Sequence, residues 1–123
     1  MIELTLPYPP SVNRYWRSVR IGNKTQVLIS EAGRRFAHQV NQAVLLAGAA
    51  KQYSERLQVE VLLHPADLRI RDIDNCLKSL LDALGKAGVY EDDSQIDLLR
   101  VSRESVKKGG ECVVRVMPLN GGQ

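Results

Sequence analysis

The sequence predicts an α+β domain, a small mixed β-sheet with about two main helices packed on it. Three observations carry that expectation. Apolar and polar residues alternate at Ile2–Leu6 and again over about 56–64, the period of a half-buried strand. Leu77, Leu80, Leu81 and Leu84 recur at i, i+3, i+4 and i+7, which is one apolar face of a helix. The length of 123 residues suits a single domain.

Taken in order, Ile2, Leu4 and Leu6 form the first strand, ended by Pro7, Pro9 and Pro10, which cannot donate to a sheet ladder. Ser11 to Lys24 reads as a polar, aromatic and basic loop with room for a short irregular strand, and Val27–Ile29 as a second short strand. Ser30 is placed to N-cap a helix over roughly 30–49, whose core stripe is Phe36, Val40, Val44 and Ala47. After the strand at 56–64 and Pro65, the second helix is expected to begin near Asp72–Asp74 and to stop before Gly88. Ile96, Leu98 and Val101 suggest a strand over 96–104. Lys107–Gly110 reads as a turn, and Val113, Val114 and Val116 open a last strand, so that 96–117 is expected to be an antiparallel hairpin. The domain is expected to span 1–117, with 118–123 a flexible tail. The helices cover one or both faces of the sheet in this reading.

Composition excludes several classes of function. Hydrophobic residues at 44% and charged residues at 25% are ordinary for a globular chain and argue against disorder. The longest apolar run, Ala43–Ala50, is far short of the roughly 20 residues of a membrane helix. The N-terminus lacks the basic start and apolar core of a secretion signal. Cys76 and Cys112 form no C-x-x-C pair, and His38 and His64 are too few for a multi-histidine site. A reduced, cytoplasmic protein without a membrane partner or a small-molecule cofactor is the expectation. The net charge of +3 is modest, but it is segregated. Residues 13–24 hold Arg14, Arg17, Arg20 and Lys24 and no acid, whereas 89–97 hold Glu91, Asp92, Asp93 and Asp97 and no base. Basic segments of this kind suit a polyanionic partner, and equally suit solvated loops.

Carboxylates gather at Arg71-Asp72-Ile73-Asp74-Asn75, with Lys78 after them and Glu91-Asp92-Asp93 further on. Neighbouring carboxylates repel unless a cation sits between them, and Mg²⁺ is the usual choice of an all-oxygen donor set. In an extended segment Asp72 and Asp74 would share one face, and Asp93 could join them if the following strand runs back alongside. Asn75 and Lys78 would reach the same cleft from the first helical turn, with Lys78 suited to charge on a phosphoryl oxygen. Each residue also has a plainer role. Asp72 or Asp74 can cap the helix, Asp74, Lys78, Asp82 and Lys86 can form a solvated i, i+4 series, and 91–93 can be a surface turn. Three functions therefore stay open: a metal-dependent nuclease, a non-catalytic nucleic-acid binder, and a nucleotide-sugar transferase using D-x-D, for which the chain is short.

The combination Arg71-Asp72-Ile73-Asp74-Asn75, Lys78, Leu81-Asp82-Ala83-Leu84, Lys86-Ala87-Gly88 and Asp92-Asp93-Ser94-Gln95-Ile96 resembles the RusA family of Holliday junction resolvases. So does the opening Pro9-Pro10-Ser11-Val12-Asn13-Arg14-Tyr15-Trp16, and the resemblance spans residues 2 to about 117. It implies a homodimer of small α/β subunits that nicks four-way DNA junctions with Mg²⁺ or Mn²⁺, leaving 5′-phosphate and 3′-hydroxyl ends, in DNA recombination and repair. By motif, Asp72, Asp74 and Asp93 would be the catalytic metal-binding carboxylates and Lys78 the essential lysine, with Asp92 positioning metal or water. The expected DNA contacts are Arg14, Trp16, Arg17, Arg20, Lys24, Arg69, Arg71 and Tyr90. Family members can carry a bulky aromatic after the Ala-Gly that ends the helix, as a wedge into the junction. Val89 stands there in this chain, so Tyr90 is expected to substitute or junction opening to be weaker. The competing reading is a structure-selective DNA-binding protein without catalysis, an inactive prophage relic.

Overall fold

The computed structural model describes residues 1–119. Its main sheet has four strands: β1 (Ile2–Leu6), β4 (Leu57–His64), β5 (Ile96–Arg103) and β6 (Glu111–Pro118), in the order β1-β6-β4-β5. A separate antiparallel hairpin joins β2 (Trp16–Ile21) to β3 (Lys24–Ile29). Helix α1 is a single turn, Val12–Tyr15, and the two main helices are α2 (Glu31–Leu46) and α3 (Leu77–Lys86). The α+β class with a mixed sheet and two main helices is as the sequence predicts.

Alternation explains how the layers assemble. Ile2, Leu4 and Leu6 of β1, Leu57, Val59, Val61 and Leu63 of β4, and Cys112, Val114 and Val116 of β6 all point into one core. Phe36, Val40 and Val44 of α2 and Leu80, Ala83 and Leu84 of α3 fill it from the other side. Helices thus cover one face of the sheet. The opposite face carries a row of paired charges, with Arg115 bonding Glu3 at 2.7 Å and Glu60 at 2.8 Å across three registered strands. Ala47, expected in the core stripe, is exposed, because the helix ends at Leu46 and the chain turns away at Gly48 (φ 63°).

Three expectations about elements need correction. Strands β5 and β6 do not form a hairpin, since β4 lies between them, parallel to β5 and antiparallel to β6. The intervening segment is tied to the exit of β4 by Glu104 N–H on Leu63 O (2.7 Å) and Lys107 N–H on Pro65 O (3.0 Å), which carries the chain past β4 to its far side. The segment 11–24, read as a loop with room for a short irregular strand, holds α1 and most of the regular β2–β3 hairpin, closed by a two-residue turn with Gly22 at φ 62°. Helix α3 starts at Leu77 rather than near Asp72–Asp74, because Ile73–Cys76 is a turn. Of the expected tail, Pro118 ends β6 and the Leu119 amide donates to Arg56 O at 2.8 Å, while 120–123 lie outside the described residues. No described helix is long and apolar enough to cross a membrane.

Candidate active site

The turn before α3 sets the geometry of the acids. Asn75 N–H donates to Asp72 O (3.4 Å) and Leu77 N–H to Asp74 O (3.2 Å), so the pair sits in a tight turn and not in the extended segment the spacing suggests. Val12 N–H on Asn75 O (3.0 Å) ties this turn to α1. Residue Cys76 occupies the N-cap of α3 without a side-chain cap bond, so neither aspartate caps the helix. Both carboxylates are exposed and accept no hydrogen bond among the described residues. Asp72, with Asn75, lines a cleft of about 710 Å³. Asp74 is not in its wall.

Asp93 belongs to a second place. It opens a 3-10 turn, Asp93–Gln95, beside a smaller cleft of about 260 Å³ lined also by Asp82, Lys86, Glu91 and Asp92. The two clefts lie toward opposite ends of α3. Among the described residues, no group of three or more His, Cys, Asp or Glu stands close enough to hold a metal ion. Asp92 has structural work, capping the 3-10 turn through Ser94 N–H (3.0 Å) while its own N–H donates to Gln95 Oε1 (2.7 Å). The bond from Ser94 holds the Asp92 carboxyl below its usual range. Gln95, which sequence reasoning did not single out, is buried and spends its amide N–H groups on Tyr53 O (2.8 Å) and Glu55 O (2.9 Å). It pins the Asp93 turn to the approach to β4. The capping-box pattern Asp92-x-x-Gln95 was its readable signal.

Lys78 takes neither of the carboxylates at i−4 and i+4. Its ammonium lies 5.9 Å from the centre of the Trp16 ring, within cation–π range. Trp16 stands edge-on to Tyr15 (4.3 Å between centroids, 71°), and the buried Tyr15 hydroxyl donates to Asp82 Oδ2 at 3.1 Å. Burial first, then the Asp82 charge, drives the Tyr15 phenol up, so it remains a neutral donor. Asp82 also pairs with Lys86 at 3.3 Å.

The basic residues divide into free and committed groups. Arg14, Arg17, Arg20 and Lys24 are exposed on α1 and the hairpin. Arg69 and Arg71 are both held by Asp67, at 3.0 and 2.8 Å. The hydrogen bond from Arg69 is the main reason the Asp67 carboxyl is held far below the ordinary range. Tyr90 is not available to DNA. It is 1% exposed, its hydroxyl donates to Leu81 O, and burial raises its phenol strongly. Val89 is fully buried as well, so neither residue offers a wedge. The reason is packing: Leu84 O receives the Val89 amide at 3.1 Å, and this turn folds both side chains into the core. Cys76 and Cys112 are buried free thiols, as expected, and burial pushes Cys112 up to about 12.

The profile of the family described as Endodeoxyribonuclease RusA matches residues 7–117, most of the chain. This chain belongs to the RusA family. It is 39% identical over 117 residues to the crossover junction endodeoxyribonuclease rusA of Enterobacteria phage HK97, covering 95% of this chain and 94% of that relative. The protein of the same name from Enterobacteria phage 82 is 38% identical over 116 residues, with 93% and 92% covered. Crossover junction endodeoxyribonuclease RusA of Escherichia coli strain K12 is 36% identical over 114 residues, again with 93% and 92% covered. The RusA match takes in the turn of Asp72 and Asp74, Lys78, Asp93 and the α1–β3 segment in one continuous span.

Proposed function

We propose that this chain is a metal-dependent endodeoxyribonuclease that resolves four-way DNA junctions by paired symmetric nicks, acting as a homodimer in the cytoplasm during recombination and repair. The observation that carries this reading is full-length similarity, 36–39% identical, to proteins named crossover junction endodeoxyribonucleases. Asp72, Asp74 and Asp93 are the proposed metal-binding carboxylates. An oxygen-only acidic set suits Mg²⁺ or Mn²⁺. These three carboxylates do not converge in the structure, and holding one ion between all of them would require the exposed 72–75 turn and the Asp93 turn to draw together. Bound there, the cation would stabilise phosphoryl charge and ease deprotonation of water.

Hydrolysis places the water oxygen on phosphorus and breaks the bond to O3′, which takes up a proton and leaves as the 3′-hydroxyl. The Lys78 ammonium would face the negative phosphoryl oxygens, with Trp16 limiting where it can go. Two copies related by a two-fold axis match two opposed strands of a junction with approximate two-fold symmetry.

The decisive test is cleavage of a synthetic four-way junction with Mg²⁺ by wild type and Asp74→Asn. The substitution keeps volume and removes the charge, so nicking should fall by at least about 100-fold, the scale for loss of a charge-stabilising group, while the junction is still bound. Equal cutting by both proteins sinks the site assignment. Binding without cutting across Mg²⁺ and Mn²⁺ would favour the non-catalytic DNA binder.

A further inference from the structure

The cleft beside Asp72 encloses about 710 Å³, and the phosphodiester chemistry alone does not account for its size or its walls. It runs between the Pro7–Pro10 segment and the outer side of α2. Small-ligand sites occupy about 300–1,000 Å³, so it can take a group of nucleotide size. Four arginines, Arg14, Arg35, Arg69 and Arg71, line it against the single carboxylate of Asp72. Arg14 makes no ion pair among the described residues, and Arg35 only a loose one with Glu31 at 3.5 Å, both partners largely exposed. The rim is therefore built for anionic oxygens.

The interior has a different chemistry. Tyr8 is half-buried in the wall, backed by Gly110, where an added Cβ would lie 3.0 Å from the Tyr8 Cβ. Pro10 stands nearby, and the Gln39 side chain, on an exposed position of α2, supplies an amide that can both donate and accept. An aromatic face, guanidinium planes and a free amide together are the groups that receive an unstacked base: stacking is worth about 1–3 kcal/mol per base, and base edges are read by hydrogen bonds.

We propose that this cleft receives one unstacked nucleotide of the strand being cut, next to the scissile phosphate at Asp72, with Tyr8 beneath the base and Gln39 at its edge. The proposal rests on the nuclease reading above and names its substrate-selecting subsite. Drawing a base out of a duplex costs a few kcal/mol and least where pairing is already broken. A branch point is such a place, so the subsite favours junctions over linear DNA and gives the nick a sequence preference. The Pro7–Pro10 wall and Gln39 carry that preference although neither touches the reacting phosphorus.

Photocrosslinking tests it directly. Four-way junctions carrying 5-iodouracil at each position flanking the nick are bound by the Asp74→Asn protein, which leaves the DNA whole, irradiated, and the adducts mapped by mass spectrometry. The expected result is an adduct on Tyr8 from one flanking position. It should disappear in Tyr8→Leu and drop about tenfold in Gln39→Trp, whose indole fills the cleft from an exposed helix position, a change equivalent to roughly 1.4 kcal/mol. In the cleavage-competent background, Gln39→Trp should also broaden the distribution of nick sites. Junctions that are bound but give no Tyr8 adduct from any flanking position overturn the subsite and leave the nuclease reading standing. Failure to bind the junction overturns both.

Discussion

Lys78 has two acids within one helical turn on either side, Asp74 and Asp82, and a plain surface helix would pair it with one of them. Instead Tyr15 and Lys86 engage Asp82, and the Lys78 ammonium is left facing Trp16. A cation held on an aromatic face keeps its charge available on the other side, which is what a phosphoryl oxygen requires. Partly exposed cation–π contacts are worth about 0.5–1 kcal/mol. Trp16→Ala should therefore slow single-turnover nicking by about fivefold, near 1 kcal/mol, with a smaller change in junction affinity and partial recovery in Trp16→Phe. Equal loss of affinity and rate would instead make Trp16 a simple DNA contact. At this scale the motif marks Asp72, Asp74, Asp93 and Lys78 as candidates, but the burial of Tyr90 was not readable. The residues that follow it are exposed acids, and nothing in the string Val89-Tyr90-Glu91 reveals that its hydroxyl reaches Leu81 O or that its backbone bridges to Tyr53.

Elements meet most tightly where α2 begins. Ser30 caps the helix by accepting from Gly33 N–H at 3.0 Å, and its hydroxyl also donates to Arg14 O. A Cβ at Gly33 would lie 2.4 Å from Tyr15 O and 2.8 Å from Ile29 Cγ2. Helix α1, which carries Tyr15 into the site, packs against α2 only because this residue has no side chain. Gly33→Ala should thus destabilise the fold by about 1–3 kcal/mol, read from the urea midpoint, and should cost activity through displacement of Trp16. Elements with a clean period were legible: β1, β4, the bulk of α2, and the leucine face of α3. Those without one were not. Strand β5 is an edge strand with Leu98 and Leu99 both partly exposed, so its alternation is blurred and its partner could not be read. In β2 both faces are largely open to solvent, and only the Gly22-Asn23 turn announced the hairpin.

At the scale of the molecule, a one-sided sheet leaves the helical layer, the hairpin and the loops to build the DNA-binding side. Its exposed cations are spread over α1, β2, β3 and the 65–72 loop rather than clustered in one run. Binding that neutralises six or more phosphates loses about 10³-fold or more in affinity between 50 and 200 mM salt. Junction titrations should show at least that slope, unchanged in Asp74→Asn, and sedimentation should find two chains per junction. A shallow slope would mean that few of these arginines reach phosphate.

The position of β6 has a further consequence, for how the enzyme comes into being. This strand is the last of the sheet in chain order, yet it sits between β1 and β4, bonded to both. Until it emerges from the ribosome, the first strand has no neighbour and the core has no middle. A nascent chain that already displays Asp72, Asp74, Lys78 and Asp93 therefore has no frame to hold them. Activity arrives late, all at once, and at the slow pace of long-range strand pairing. For an endodeoxyribonuclease, unfinished copies are harmless by construction.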